Sequence, residues 1–154
     1  MSGADPRPAV LFLCTANSCR SQMAEGWARA LHADRLRAFS AGVRPGVLNP
    51  LAVRVMREGG VDISTHTPKH PDDLSVPLDL VVTVCDDARE ACPVLPGVRT
   101  LHVPFDDPPR LARDARTEDE ALAHYRRVRD EIRSFVQSLP NHLTPPPRGT
   151  GDQP

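Results

Sequence analysis

Apolar residues follow the chain in two kinds of pattern, continuous runs and stretches with helical spacing. Residues 9–14 and 79–85 are mainly apolar, as in strands that are buried on both faces of a parallel sheet. Residues 36–41 and 99–103 are shorter segments of the same kind. The pattern therefore predicts four strands.

Apolar residues at helical spacing fill the segments between and after these strands. The first such segment covers residues 21–32, and the second begins at the Asn49–Pro50 pair and ends at Gly59, a cap-and-proline start with a glycine stop. The third opens with a capping box at Thr117 and continues to Leu139. Strands that alternate with helices favour an α/β fold, in which a four-stranded parallel sheet is flanked by helices on both faces in a flavodoxin-like three-layer sandwich.

The length and composition fit one domain, which we place at residues 1–139. Residues 140–154 have no periodicity and are rich in proline and glycine, so we predict a flexible C-terminal tail. The net charge of −1, from 19 basic and 20 acidic residues, leaves no large basic surface. This argues against nucleic acid or a membrane as a partner, and we expect a monomer.

The N-terminal region predicts a cytoplasmic protein. The apolar run at residues 9–13 is far shorter than a signal or membrane segment and follows Pro6 and Pro8. In a reducing compartment, the four cysteines of the chain are expected to be catalytic or redox-active rather than structural.

Cys14 and Arg20 bracket five residues between the first predicted strand and the first predicted helix. In such a loop the backbone N–H groups, together with those of the helix N-terminus, point inwards and attract a tetrahedral oxyanion. The guanidinium of Arg20 can bind two oxygens of that anion, and the same positive field favours the thiolate form of Cys14. The predicted anion-binding residues besides Arg20 are Thr15, Ala16, Asn17, Ser18, Cys19 and Ser21.

Several reactive residues follow predicted strands directly. Cys14 and Cys85 end two of the strands, and Asp106 and Asp107 come shortly after the fourth. Because ligands of parallel α/β folds bind beyond the carboxyl ends of the strands, we expect these side chains to meet at one rim.

Two further cysteines, Cys85 and Cys92, help to distinguish the reactions that this loop could support. Hydrolysis of a phosphate ester needs one thiolate and a proton donor, whereas two-electron reduction of an oxyanion needs two further thiols. If residues 85–92 were helical, the pair would lie roughly 10 Å apart along the axis, too far for a disulfide without unwinding. The alternative is that both are inert core cysteines.

The chain carries six motifs: CTANSCRSQMAEGW at 14–27, FSAG at 39–42, DISTHT at 62–67, DLVVTVC at 79–85, CPVLP at 92–96 and FDDP at 105–108. Together they resemble the thioredoxin-coupled arsenate reductases built on the low-molecular-weight tyrosine phosphatase fold. The resemblance covers about residues 9–139.

The resemblance implies a role for each matching residue. It makes Cys14 the nucleophile, Cys85 and Cys92 the redox relay, and Arg20 the oxyanion ligand. It makes Asp107 the general acid in preference to its neighbour Asp106.

The resemblance also implies reduced thioredoxin as the external electron donor, arsenate as the substrate and no bound cofactor. Some members bind potassium through residues that match Asn17, Glu25 and Ser40 and through an acidic residue at the position of Lys69. Since the ammonium of Lys69 could take the place of the ion, we predict no metal site.

Two other functions stay open at this point. A tyrosine phosphatase of the same fold would use the same loop and acid, but the chain has only one Tyr and one Trp with which to hold a phenyl ring. A non-catalytic, redox-sensing anion-binding module would signal through Cys85 and Cys92.

Tyr125 is interpreted as a core residue of the last helix, and His66 as either a polar anchor or a residue that orients the site.

Overall fold

The computed structural model describes residues 5–86 and 94–143. Its strands are β1 (Ala9–Cys14), β2 (Arg37–Gly42), β3 (Leu80–Thr83) and β4 (Thr100–His102). Its helices are α1 (Arg20–His32), α2 (Pro50–Glu58), α3 (Pro108–Leu111), α4 (Glu118–Gln137) and α5 (Pro140–Leu143), with 3-10 turns at Pro71–Asp73 and Ala112–Asp114.

The strands form one parallel sheet in the order β2-β1-β3-β4. Strand β1 pairs over its whole length with β2, so that Cys14 lies beside Gly42, and on its other side Leu13 lies beside Thr83 of β3. The predicted four-stranded parallel sheet is therefore confirmed. Because all strands run in one direction, the segments that follow them reach a common edge.

The larger part of the core lies between the sheet and helices α1, α2 and α4. Its sheet side includes Val10 and Phe12, which are fully buried against α1 residues such as Met23. On the opposite face, Leu11 and Val81 belong to a smaller cluster. The described residues that cover this second face are Phe39, Leu74, Leu78, Leu95 and Val98.

Local signals in the sequence account for the helix starts. Asn49 caps α2 by accepting hydrogen bonds from the N–H groups of Leu51 and Ala52, ahead of Pro50 at the first helical position. Thr117 accepts from the Glu120 N–H at the start of α4. The capping box is not reciprocal, because the Glu120 carboxylate accepts instead from the backbone N–H of Arg116.

Two short helices were not predicted from the sequence. Helix α3 follows Asp107 and is only four residues long, too short for a hydrophobic period to show. Helix α5 occupies the first residues of the predicted tail, where the ring of His142 lies 5.8 Å from that of Phe135. Residues 140–143, the start of the predicted tail, thus form a short helix, and the rest of that tail lies outside the described residues.

In the described parts of the chain, no helix is both long enough and apolar enough to cross a membrane.

Candidate active site

The thiol of Cys14 lies at the carboxyl end of β1 and is almost completely buried. Its sulfur is 2.9 Å from the Ser21 hydroxyl at the first turn of α1, and the Asn17 N–H donates to it at 3.3 Å. Both groups can donate a hydrogen bond to a thiolate at this position. The contacts fit the nucleophile predicted for this position.

Residues 14–20, here called the oxyanion loop, have backbone carbonyls that form hydrogen bonds with a neighbouring segment. Three of these carbonyls accept hydrogen bonds from residues 43–49, here called the strap: Thr15 O from Arg44 N, Ala16 O from Gly46 N and Ser18 O from Asn49 N, each at 2.9 Å. The C=O and N–H groups of a trans peptide point in opposite directions. The N–H groups of Ala16, Asn17 and Cys19 therefore face the inside of the loop, as an anion receptor requires.

Asn17 is fully buried and has a φ of 54°, the left-handed region that asparagine tolerates. Its Nδ2 donates to the Ser21 hydroxyl at 2.8 Å, while its Oδ1 accepts from Gln22 Nε2 and from the Lys69 N–H at 3.0 Å. Gln22 Oε1 in turn accepts from His66 Nδ1 at 3.0 Å. Because Gln22 Nε2 faces Asn17, its Oε1 faces His66, so the His66 nitrogen is the donor.

Gly42, the last residue of β2, lets the oxyanion loop approach the sheet. A Cβ atom at this position would lie 2.5 Å from Thr15 O and 2.7 Å from Asn17 N. Any side chain here would displace the backbone of the loop.

The side chain of Arg20 is buried beneath the loop and held by backbone carbonyls. Its Nη1 donates to Phe105 O at 3.1 Å and reaches Val84 O at 3.5 Å. These carbonyls lie beyond β3 and β4, so the sheet fixes the direction of the guanidinium.

Asp107 and Asp106 have different surroundings. Asp107 Oδ1 lies 3.6 Å from Arg20 Nη2, and the residue lines the same cavity as Cys14. Asp106 Oδ2 accepts from Arg127 Nη2 of α4 at 3.0 Å. Of the two carboxylates, only that of Asp107 lines the cavity.

The cavity at the loop has a volume of about 180 Å³. Its lining residues are Cys14, Thr15, Ala16, Ser18, Cys19, Arg20, Asp107 and Pro109. None of these residues is aromatic. Of the side chains expected to meet at one rim, Cys14 and Asp107 therefore line one small polar cavity, whereas Asp106 does not. Arg20 lines the same cavity, which is of a size suited to a tetrahedral anion.

The other cysteines differ in state. Cys19 is a buried free thiol, and burial, reinforced by the charge of Asp107, raises its pKa well above the ordinary value. It is thus held protonated, unlike a redox-active thiolate. Cys85 is fully buried just beyond β3 and is disulfide-bonded. Cys92 lies outside the described residues.

Glu25 forms a buried charged cluster behind the loop. Ser40 donates to Glu25 Oε1 at 2.5 Å, and Arg29 Nη2 lies 2.9 Å from Oε2. The sequence suggested Lys69 as the local cation, but its ammonium donates to Thr67 O, and the cation beside Glu25 is Arg29. Among the described residues, no three His, Cys, Asp or Glu side chains are grouped to hold a metal ion.

Comparison with known proteins places this geometry in a family. Residues 9–145 match the family model for low molecular weight phosphotyrosine protein phosphatase. The arsenate reductase of Bacillus subtilis is 50% identical over 125 residues, 80% of this chain and 88% of that protein. The chain belongs to the arsenate reductases of the low molecular weight phosphotyrosine protein phosphatase family. The arsenate reductase of Halalkalibacterium halodurans is 45% identical over 86% of this chain and 95% of its own.

Solved structures of the family have the same fold. An arsenate reductase in the phosphate binding state has a TM-score of 0.69 at 28% identity and covers 89% of this chain and 99% of its own. A thioredoxin-dependent arsenate reductase of Corynebacterium glutamicum has a TM-score of 0.64 at 26% identity, over 90% of this chain and 62% of its own. A tyrosine phosphatase of Erwinia amylovora, at 20% identity and a TM-score of 0.67 over 94% of this chain and 98% of its own, shares the fold.

Sequence reasoning missed several parts of the site. The strap, Gln22 and the hydroxyl of Tyr125 all contact the loop or its supports. Asn49 was recognised only as a helix cap. Gly42 was recognised only as the end of a strand. A glycine at the end of a strand is nevertheless a signal that another part of the backbone packs closely there.

Proposed function

We propose that this protein reduces arsenate to arsenite with Cys14 as the nucleophile. The observation that supports this most is the buried Cys14 sulfur at the mouth of a loop whose N–H groups, with Arg20 and Asp107, surround one small cavity. The relatives that share this architecture at high identity are named arsenate reductases. The cytoplasm is the compartment proposed, since a thiol relay needs reducing surroundings.

In the first step, the Cys14 thiolate attacks the arsenic atom of arsenate. An S–As bond forms, an As–O bond breaks, and the leaving oxygen departs as water with a proton from Asp107. Arg20 and the inward N–H groups bind the remaining oxygens and offset their negative charge. The thiolate is favoured before attack because Ser21 and the Asn17 N–H contact the sulfur.

In the second step, the Cys85 thiolate attacks the Cys14 sulfur. The S–As bond breaks and its electron pair stays on arsenic, so As(V) becomes As(III), while two thiols become a Cys14–Cys85 disulfide. Cys92 then attacks Cys85 and releases Cys14 as a thiolate. Thioredoxin reduces the resulting Cys85–Cys92 disulfide by thiol–disulfide exchange. The position of Cys85 beyond β3, next to the strand that carries Cys14, and its participation in a disulfide support this sequence of exchanges.

One assay separates the candidate functions. The protein is incubated with arsenate, thioredoxin, thioredoxin reductase and NADPH, and in parallel with an aryl phosphate. We expect arsenate-dependent NADPH oxidation that is lost in Cys14→Ser. Aryl phosphate hydrolysis without NADPH oxidation would support the phosphatase instead, although none of the described residues that line the cavity is aromatic. Neither activity would support the redox-sensing module.

A further inference from the structure

The oxyanion loop is held from outside by the strap, and one strap residue is anchored to a distant helix. The backbone N–H of Asn49 donates to Ser18 O at 2.9 Å. This bond turns the Ser18 carbonyl outward, so the N–H of the same peptide, which belongs to Cys19, is turned into the anion-binding side. The position of Asn49 therefore affects one donor of the anion receptor.

The side chain of Asn49 has its two ends assigned by its partners. Its Oδ1 accepts from the N–H groups of Leu51 and Ala52 at 2.8 and 3.3 Å, and its Nδ2 donates to the hydroxyl oxygen of Tyr125 at 3.0 Å. The cap fixes Asn49 relative to α2. The hydrogen bond to Tyr125 fixes it relative to α4, which is 76 residues away in the chain.

Tyr125 is rigidly held at its end of this contact. Only 3% of its surface is exposed, and it belongs to the core cluster between α1, α2 and α4. Burial raises the pKa of its hydroxyl to about 12, and the charge of Asp107 acts in the same direction. The hydroxyl therefore stays neutral at all pH values at which the enzyme would work, and its oxygen remains an acceptor for Asn49.

We infer that Tyr125 is a positioning residue: through Asn49, its hydroxyl sets the orientation of the Ser18–Cys19 peptide and so the affinity of the oxyanion loop. The aromatic ring of Tyr125 packs in the core, and its hydroxyl aligns Asn49 and, through it, the Ser18–Cys19 peptide. The inference rests on the proposed function for the identity of the anion as arsenate, but the effect on anion affinity holds for any tetrahedral oxyanion.

Tyr125→Phe is the central test, because it keeps the ring and removes the acceptor. The dissociation constant of inorganic phosphate, measured by calorimetry on the reduced protein, should rise about 3- to 10-fold, the usual effect of one neutral hydrogen bond. The Michaelis constant for arsenate should rise by a similar factor, with the turnover number changed less than about 2-fold. The reason is that the loop binds the anion equally in the ground state and in the transition state, so both are weakened to the same extent.

Two further variants make the test specific. Asn49→Ser keeps a side-chain oxygen to cap α2 but is too short to reach Tyr125, and it should weaken phosphate binding about as much as Tyr125→Phe. The double variant should be no worse than either single one. Ile132→Val truncates another fully buried residue of α4 and controls for loosening of the core. It should lower the melting temperature with no change in phosphate affinity.

Each outcome decides the inference. Unchanged phosphate affinity in Tyr125→Phe would overturn it, as would an equal loss of affinity in Ile132→Val or additive effects in the double variant. If the wild-type protein binds phosphate in a Tyr125-dependent way but does not reduce arsenate, the positioning role stands and the proposed function fails.

Discussion

The Ser21 hydroxyl lies 2.9 Å from the Cys14 sulfur and accepts a hydrogen bond from Asn17 Nδ2 at 2.8 Å. When Cys14 is a thiolate it has no proton to donate, so the Ser21 hydroxyl must be the donor to the sulfur. Asn17 thus acts twice on Cys14, once through its own N–H and once through Ser21. This network, built within residues 14–21, therefore offers two hydrogen-bond donors that would stabilise a thiolate at Cys14.

Ser21→Ala should weaken this stabilisation. Hydrogen bonds to charged groups are worth about 1.5–3 kcal/mol, so alkylation of Cys14 by iodoacetamide at neutral pH should slow about 10-fold or more. Mass spectrometry of the Cys14 peptide measures the rate. The control is Ser138→Ala, whose hydroxyl contacts Phe135 O at the end of α4. Equal rates in Ser21→Ala and the wild-type protein would mean that the hydroxyl does not act on the thiolate.

Arg20→Lys should be severe although the charge is kept. The guanidinium reaches two backbone carbonyls and the carboxylate of Asp107 while facing the cavity, and a single ammonium cannot reproduce that planar fork. We expect kcat/KM for arsenate to fall about 100-fold or more. Arg44→Lys, at a strap residue whose backbone N–H is the group in contact with the loop, is the matched control and should stay near wild type.

The relay cysteines should fail at different stages. After one addition of arsenate, Cys85→Ser should retain the arsenic adduct on Cys14, whereas Cys92→Ser should release arsenite once and stop with Cys14 bonded to Cys85. Intact-mass and peptide mass spectrometry distinguish the two products. Ser138→Ala is the control, because Ser138 lies at the end of α4 and does not line the cavity. Sustained thioredoxin-linked turnover without Cys92 would contradict the three-cysteine relay.

The sequence predicted the parts of the site that are local. The bounds of β1 coincide with the apolar run at residues 9–14, and the loop from Cys14 to Arg20 follows from a strand, a tight turn and a helix start. Contacts between distant segments could not be predicted in this way. The hydrogen bonds of Asn49 to Tyr125 and of Trp27 to the Arg129 carbonyl depend on how α1, α2 and α4 pack. A helical pattern gives the buried face of each helix but not the partner of each side chain.

The stability of the protein should fall as the pH drops below about 6.5, the ordinary pKa of histidine. Burial lowers the pKa of His66, and the positive charges of Arg29 and Lys69 add to this, although Glu25 opposes them. A histidine with a lowered pKa in the folded state takes up its proton first in the unfolded state. Its contribution is therefore complete above the unfolded pKa and is lost towards acidic pH.

Thermal unfolding between pH 7.5 and 5 tests this assignment. The melting temperature of the wild-type protein should drop more steeply with acidification than that of His66→Gln, which retains an amide donor for Gln22 but does not titrate. His124→Gln on α4 should keep the wild-type slope. Parallel curves for all three proteins would exclude His66 as the source of the pH dependence.

Gly42→Ala should damage the oxyanion loop although Gly42 has no functional group. The added Cβ would lie 2.5 Å from Thr15 O, 2.7 Å from Asn17 N and 2.9 Å from Ala16 C, all of them backbone atoms that cannot turn away. Overpacking of this kind costs about 1–3 kcal/mol, or the loop shifts and loses its inward N–H alignment. Either result should weaken phosphate binding, while the far-ultraviolet circular dichroism spectrum stays close to that of the wild-type protein.

Gly46→Ala is the matched control for this substitution. Gly46 also contacts the loop, through its N–H to Ala16 O, but a Cβ there would come no closer than 3.7 Å to its nearest neighbour, the Ala16 side chain. That distance is ordinary van der Waals contact, so phosphate affinity and melting temperature should stay near wild type. Equal effects of the two alanines would show that the short contacts of a Cβ at Gly42 are not the cause of the damage. A silent Gly42→Ala would show that the loop does not need its close approach to β2.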